Sequence, residues 1–158
     1  MKRLQFRSGD ADQTRALGKN LGELAQAGDI FFLTGNLGVG KTCLTQGIVW
    51  GLGSQEYALS PTFVLMREIW GRLPLYHIDL YRLDQIAEVA DLGLDDYLYG
   101  QGLCVIEWAE KGLSVLPAEH LRVEIEYLGD SERGFDLKAR GIHYEKLLDS
   151  LKERVKKE

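Results

Sequence analysis

The apolar run Ile30-Phe31-Phe32-Leu33 leads into Gly35-Asn36-Leu37-Gly38-Val39-Gly40-Lys41-Thr42, and a second apolar stretch follows to Leu52. This order constrains the fold more than any other feature of the chain. The β-branched and aromatic content of 30–33, with glycines behind it, favours a strand buried on both faces, although periodicity alone leaves a short helix open. Lys41 to about Leu52 reads as a helix closed by Gly51 and Gly53. The octet between them satisfies G-x-x-x-x-G-K-[ST] at every fixed position. Glycines at 35, 38 and 40 permit torsions that a side chain would forbid, so that main-chain N–H groups can wrap an anion. The helix beginning near Lys41 aims its unpaired N–H groups and the positive end of its dipole at the same point. Lys41 brings a formal charge to β- and γ-phosphates, and Thr42 offers a hydroxyl to Mg²⁺. A glycine-rich turn with a surface lysine is the plain alternative. Cys43 comes next and is counted with the nucleotide-contacting run 35–43, although a small buried residue on the first helical turn is its simpler reading.

The remaining pattern surrounds this unit with further strands and helices. Leu4 to Arg7 is a short strand candidate, and Asp10 with Gln13 forms a capping-box signature. Leu17, Leu21 and Leu24 then follow at helical spacing, so residues 11–27 read as an amphipathic helix ended by Gly28-Asp29. Thr62–Ile69 and Leu73–Ile78 read as strands joined by a turn at Trp70-Gly71-Arg72. The acidic stretch 84–99 reads as two short helices, and Leu103 to Ile106 as another buried strand. Leu121–Tyr127 and Phe135–Ala139 flank a polar turn at 129–134. Tyr144, Leu147, Leu148 and Leu151 give a C-terminal helix its apolar face, and 152–158 is expected to fray into solvent. Strand, glycine loop, helix and further apolar strands predict an α/β fold, with a largely parallel central sheet flanked by helices and antiparallel strands added at an edge. The 158 residues are read as one domain, 1–158.

Composition narrows the class of partner. A net charge of −5 argues against a general nucleic-acid binder, though not against a partner that carries RNA. Cys43 and Cys104 fit no CxxC or Cys/His metal pattern. The N-terminus lacks the apolar core of a signal peptide, and no run approaches the roughly 20 apolar residues needed to span a bilayer. The expectation is a reduced, cytoplasmic protein without a membrane role.

A loop of this kind needs an acidic residue at the end of a neighbouring strand to hold the magnesium shell. Two acids qualify: Glu107 after Leu103-Cys104-Val105-Ile106, and Asp79 after Leu75-Tyr76-His77-Ile78. One can serve the metal while the other orients water. Glu107 is the better metal candidate, because its strand is the more completely apolar and therefore the more central. A solvated strand-end acid is the alternative for Glu107, and a helix cap or a salt bridge to Arg82 for Asp79. His77 alternates with Asp79 and shares its face of the strand. It can orient a carboxylate or contact a γ-phosphate, or it can be an ordinary hydrogen-bonded histidine. Tyr81 and Arg82 are candidates for a partner surface. Ser60-Pro61-Thr62 reads as a turn entering a strand, and its hydroxyls equally suit contact with phosphate or magnesium.

Four motifs in order now point to a family: Gly-Asn-Leu-Gly-Val-Gly-Lys-Thr at 35–42, Ser-Pro-Thr-Phe at 60–63, His-Ile-Asp-Leu-Tyr-Arg at 77–82 and Ile-Glu-Trp at 106–108. Together they resemble the TsaE family, small ATPases of bacterial tRNA threonylcarbamoyladenosine biosynthesis, from the Asp10 helix to about residue 140. The resemblance implies that the nucleotide is ATP, that Thr42 and Glu107 serve the Mg²⁺ site with Asp79 in support, and that Ser60 to Phe63 act as a switch. It places Trp108 near the nucleotide or the partner surface, where a core position is the plain alternative. The turn 129–134 lies where the family closes over the nucleotide, which makes Arg133 a phosphate-contact candidate beside the simpler reading of a solvated arginine. Asn36 stands where family members often carry Asp, at a variable loop position. The implied partner is a TsaD–TsaB complex, which itself transfers the threonylcarbamoyl group, so tRNA is reached only indirectly. Resemblance and residues together predict slow hydrolysis alone and faster turnover with the partner. The acidic, aromatic stretch from Asp91 to Tyr99 is a candidate for the partner footprint, against a solvated helix face. A small-molecule kinase and a nucleotide-dependent switch without a tRNA role are the alternatives. The acidic stretch 84–99 makes a poor lid for phosphate, and no N-K-x-D motif reads guanine.

Overall fold

A computed structural model of the chain describes residues 2–36, 39–58, 66–83 and 85–156. In chain order the elements are β1 (Lys2–Ser8), α1 (Ala11–Leu24), β2 (Ile30–Thr34), α2 (Lys41–Gly51), β3 (Met66–Trp70), β4 (Pro74–Asp79), α3 (Ile86–Ala90), α4 (Asp95–Leu98), β5 (Leu103–Glu107), two 3-10 turns (Ala109–Lys111 and Leu113–Val115), β6 (His120–Tyr127), β7 (Arg133–Arg140) and α5 (Ile142–Lys156). The strands form one seven-stranded sheet in the order β1-β7-β6-β2-β5-β4-β3. Its centre, β6-β2-β5-β4, is parallel, and antiparallel pairings extend both edges. The expected parallel core is therefore present, with antiparallel strands on two edges rather than one.

The parallel centre is covered on both faces, as such sheets require. Phe31 and Leu33 point to a core shared with Leu17 and Leu21 of α1, Leu44 and Ile48 of α2, and Leu148 and Leu151 of α5. Phe32, Cys104 and Ile106 point the other way, to Leu80, Val89, Leu94 and Leu98. Every residue of β2 and β5 is buried. This covering explains why both sequences read as unbroken apolar runs rather than as alternating ones.

Two differences from the sequence reading have local causes. α1 ends at Leu24, not at 27: Ala25 turns to extended backbone (φ −63°, ψ 143°), and Asp29 accepts the Gln26 N–H at 2.8 Å to close the next turn. α5 stays helical to Lys156, beyond the point where its polar sequence suggests fraying. The predicted strand 62–69 is described only from Met66, because 59–65 lie outside the described residues. No helix among the described residues is long and apolar enough to cross a membrane.

α1 and α2 interlock through glycines. A Cβ on Gly47 would lie 2.1 Å from the Arg15 carbonyl oxygen, and one on Gly18 would lie 2.2 Å from that of Leu44. Gly22 and Gly51 complete the same contact one turn on. The β3–β4 turn closes the far end of both helices. Arg72 donates its main-chain N–H to the Leu52 carbonyl at 2.6 Å, and its guanidinium to the Gly22 and Ala25 carbonyls at 2.9 and 3.0 Å. Carbonyls that a helix end leaves without partners are thereby satisfied. The glycine loop is thus held from behind by a rigid helix pair.

Candidate functional site

Because β2, β5 and β4 run parallel, their carboxyl ends emerge on one edge of the sheet, where open α/β sheets bind ligands. Thr34 opens into the glycine loop, and Asp79 and Glu107 are direct register partners at the ends of β4 and β5. β5 lies beside β2, which bears out the expectation that Glu107 stands on the more central strand.

The described part of the loop is shaped by two left-handed glycines. Gly35 has φ +143°, and a Cβ there would meet the Ile125 carbonyl oxygen at 2.6 Å. Gly40 has φ +117° and immediately precedes α2. These are the positions at which a side chain could not follow the chain's path. The Val39 N–H bonds back to the Asn36 carbonyl at 3.2 Å, and Asn36 itself is exposed. Leu37 and Gly38 lie outside the described residues, as do Ser60 and Thr62.

Lys41 is only 5% exposed. Its Nζ donates to the Gly35 carbonyl at 2.9 Å and sits 4.0 Å from the centre of the Trp108 ring. Burial pushes its pKa down, and the negative charges of Glu107, Glu110 and Asp79 push it back up. Thr42 and Cys43 follow on the first turn of α2, both half-buried. The Cys43 thiol faces the Ala11 carbonyl at 3.4 Å and Arg15 at 3.6 Å, which links α2 to α1, and burial raises its pKa.

Glu107 is 3% exposed and hydrogen-bonds through Oε2 to Nε2 of the fully buried His77. Asp79 accepts the Tyr81 N–H at 2.9 Å in the turn that follows β4, a local contact other than the helix cap given as its alternative. Burial raises the Asp79 pKa, the Tyr81 N–H opposes this, and the Glu107 charge adds to it. Among the described residues, no three His, Cys, Asp or Glu side chains converge on one point. That donor set suits a small hard cation that takes one or two carboxylates and completes its shell with water and phosphate oxygens.

Trp108 is the only non-glycine residue with positive φ among the described residues (φ 60°, ψ 37°). This strained backbone turns its ring across Lys41 and against Tyr81, with ring centres 5.0 Å apart. The Trp108 side chain is half-buried and packs against the core on that face of the sheet, so the plain core alternative is met in part. Arg133 is anchored by main chain: Nε donates to the Val39 carbonyl at 2.8 Å, and Nη1 donates to the Gly129 and Glu132 carbonyls at 3.0 and 2.9 Å. It braces the β6–β7 turn against the glycine loop rather than standing solvated. Beside Gly35 and Trp108, a cleft of about 760 Å³ opens over the polar face of β6, β7 and β1.

The sequence reading brings Gly35, Gly40, Lys41, Thr42, Asp79, Glu107 and Trp108 to one edge; Lys41 contacts Gly35 and Trp108 there and lies within the charge of Asp79 and Glu107, with Gly40 and Thr42 its neighbours in the chain. It missed Glu110, whose charge also acts on Lys41, and the lysine–tryptophan contact. The available signal was Glu107-Trp108-Ala109-Glu110 directly behind an apolar strand.

Comparison with known proteins identifies the family and the fold. The sequence model of a family described as "Threonylcarbamoyl adenosine biosynthesis protein TsaE" matches residues 8–135. The chain is 43% identical over 152 residues to a tRNA threonylcarbamoyladenosine biosynthesis protein TsaE of Bacillus subtilis (strain 168), covering 96% of this chain and 95% of that protein. It is 41% identical over 126 residues to the protein of the same description from Treponema pallidum (strain Nichols), covering 80% and 93%. The crystal structure of Bacillus subtilis YdiB superposes with a TM-score of 0.86 at 38% identity, covering 97% of this chain and 96% of that one. The family match spans the glycine loop and both strand-end acids, and the chain belongs to the TsaE family.

Proposed function

We propose that this chain binds ATP with Mg²⁺ at the carboxyl edge of β2, β5 and β4 and hydrolyses it for a TsaD–TsaB-like complex that modifies tRNA to threonylcarbamoyladenosine. One observation carries the reading. A buried lysine ammonium stands at the mouth of a left-handed glycine loop, with two strand-end carboxylates in register beside it. That ammonium contacts a main-chain carbonyl and an aromatic face. A polyphosphate offers it a far stronger, charge-assisted partner.

Main-chain N–H groups of 35–43 and the start of α2 bind and orient the phosphates, and Lys41 holds the β- and γ-oxygens. Thr42, Glu107 and Asp79 are the residues that would hold Mg²⁺, which when bound offsets charge on those oxygens. A carboxylate oxygen of this pair that is not on the cation orients the attacking water. Arg133 supports the loop through Val39 and adds positive charge at its rim. Ser60 and Thr62 belong to the proposed switch. Little covalent chemistry falls to the protein, since phosphoryl transfer is mainly positioning and electrostatics. The threonylcarbamoyl transfer belongs to the partner, and tRNA is touched only through it. The exposed acids Asp91, Asp95 and Asp96 with Tyr99 are the proposed partner footprint, in the cytoplasm.

The test is ATP turnover by the chain alone and with a TsaD–TsaB pair. Slow turnover alone, a clear rise with the pair, and a loss of about two orders of magnitude in Glu107→Ala are expected. Full-speed turnover alone with no response to the pair would remove the proposal.

A further inference from the structure

The buried His77 has no part in that reading so far beyond its hydrogen bond to Glu107. Resting on the nucleotide reading, we infer that His77 is the positioning residue that fixes the Glu107 carboxylate for its task. His77 is 0% exposed and Glu107 3%, so neither is oriented by bulk water. A buried carboxylate without a donor is costly, and Nε2 of His77 supplies one to Oε2. Since a carboxylate only accepts, the ring carries its proton on Nε2. The other ring nitrogen, Nδ1, is buried without a hydrogen-bond partner among the described residues. The ring therefore makes its one polar contact with Glu107.

The placement follows from register. His77 lies opposite Val105, two residues before the Asp79–Glu107 pair, and reaches forward to Glu107. A glutamate side chain has three torsions, and its neighbour Asp79 is another acid. Without a tether, repulsion would turn Glu107 away from the edge they share. The bond ties down one oxygen and leaves the second, Oε1, for the cation shell or the water. Partners of this kind behind a ligating carboxylate typically change metal affinity or activity by about 10- to 100-fold when removed.

Two variants separate positioning from mere packing. His77→Leu keeps the bulk and removes the donor. His77→Gln keeps an N–H near the place of Nε2. For His77→Leu, kcat should fall about 10- to 100-fold, and the Mg²⁺ concentration for half-maximal rate should rise, with KM for ATP little changed. His77→Gln should recover most of the loss. Binding of ATP in EDTA should be the same in all three proteins. Independently of turnover, NMR of the nucleotide-free protein should show an exchange-protected Nε2–H signal assigned to His77, separate from the imidazole signals of His120 beside Pro117 and His143 beside Asp29, lost in His77→Leu and shifted in Glu107→Ala.

Unchanged kcat and Mg²⁺ dependence in His77→Leu would overturn the inference. So would equal losses in the Leu and Gln variants that track their melting temperatures, which would make His77 purely structural. Absence of the protected signal overturns it whatever the rates. Failure of the nucleotide reading looks different, because wild-type protein would then show neither ATP binding nor turnover.

Discussion

Trp108 holds the one backbone conformation in the described chain that a side chain resists, and it does so directly after Glu107. The left-handed region costs an L-residue about 1–2 kcal/mol, a cost that persists where surrounding contacts enforce it. Here the compensating contacts are the Lys41 ammonium and the Tyr81 ring. Trp108→Gly should therefore be more stable than Trp108→Ala by about 1 kcal/mol in chemical denaturation, the reverse of the order at an ordinary position. Equal stabilities would mean that the backbone there is not held at positive φ. At this scale the sequence was informative where chemistry dictates residue type. The placement of Gly35, Gly40 and Lys41 between a buried strand and a helix, and of Asp79 and Glu107 at strand ends, was legible because that order of residue types marks those elements. The Lys41–Trp108 contact was not, and for His77 a carboxylate partner was one of the roles read but Glu107 was not singled out as that partner, because both depend on which side chains a parallel register brings together.

The elements behind the loop show the same division. α1 was legible from its cap, and the cap is present: Asp10 accepts the Gln13 N–H at 2.9 Å, while Gln13 accepts the Gly9 N–H at 2.7 Å. β2 and β5 were legible as unbroken apolar runs. The glycines of the α1–α2 contact were not legible, since Gly18, Gly22, Gly47 and Gly51 look like weak points in helices when read singly. In an exposed helix, Gly→Ala stabilises by about 1 kcal/mol. Gly47→Ala should instead destabilise by about 1–3 kcal/mol or more, because its Cβ would overlap the main chain of Arg15. Thermal or urea unfolding measures the sign directly. A gain in stability would show that the two helices are not in main-chain contact. The Arg72 caps also escaped the sequence reading, because an arginine in a hairpin turn carries no local mark of the helices it will reach.

On the scale of the whole molecule, the sheet is parallel at its centre, where the glycine loop and the strand-end acids lie, and antiparallel toward both edges. Its outer half, β6-β7-β1, leaves one face uncovered, and that face is laced by charge pairs instead of by a helix layer. Arg3 makes a double hydrogen bond to Asp136 at 2.7 and 2.6 Å across the β1–β7 pairing. This contact holds the Asp136 pKa below its ordinary value of 3.8, so the pair stabilises the fold above that pH and the contribution is lost as pH falls below it. Asp136→Asn should lower the melting temperature by a few degrees at neutral pH, and the gap from wild type should close below about pH 4. A gap that stays constant with pH would contradict the ion pair's role. The order of strands, and hence this open face, was not readable from the sequence, because pairing partners far apart in the chain leave no local pattern. The edge on which the loop and the acids meet was readable, since parallel strands place their carboxyl ends together wherever they fall in the order. The most direct measurement of the central claim is a calorimetric titration of Mg²⁺–ATP into wild type, Lys41→Ala and Glu107→Ala. The account predicts saturable one-site binding to wild type, weakening by about 10- to 100-fold or more in Lys41→Ala, and retained binding with lost turnover in Glu107→Ala. Binding to Lys41→Ala as tight as to wild type would contradict it.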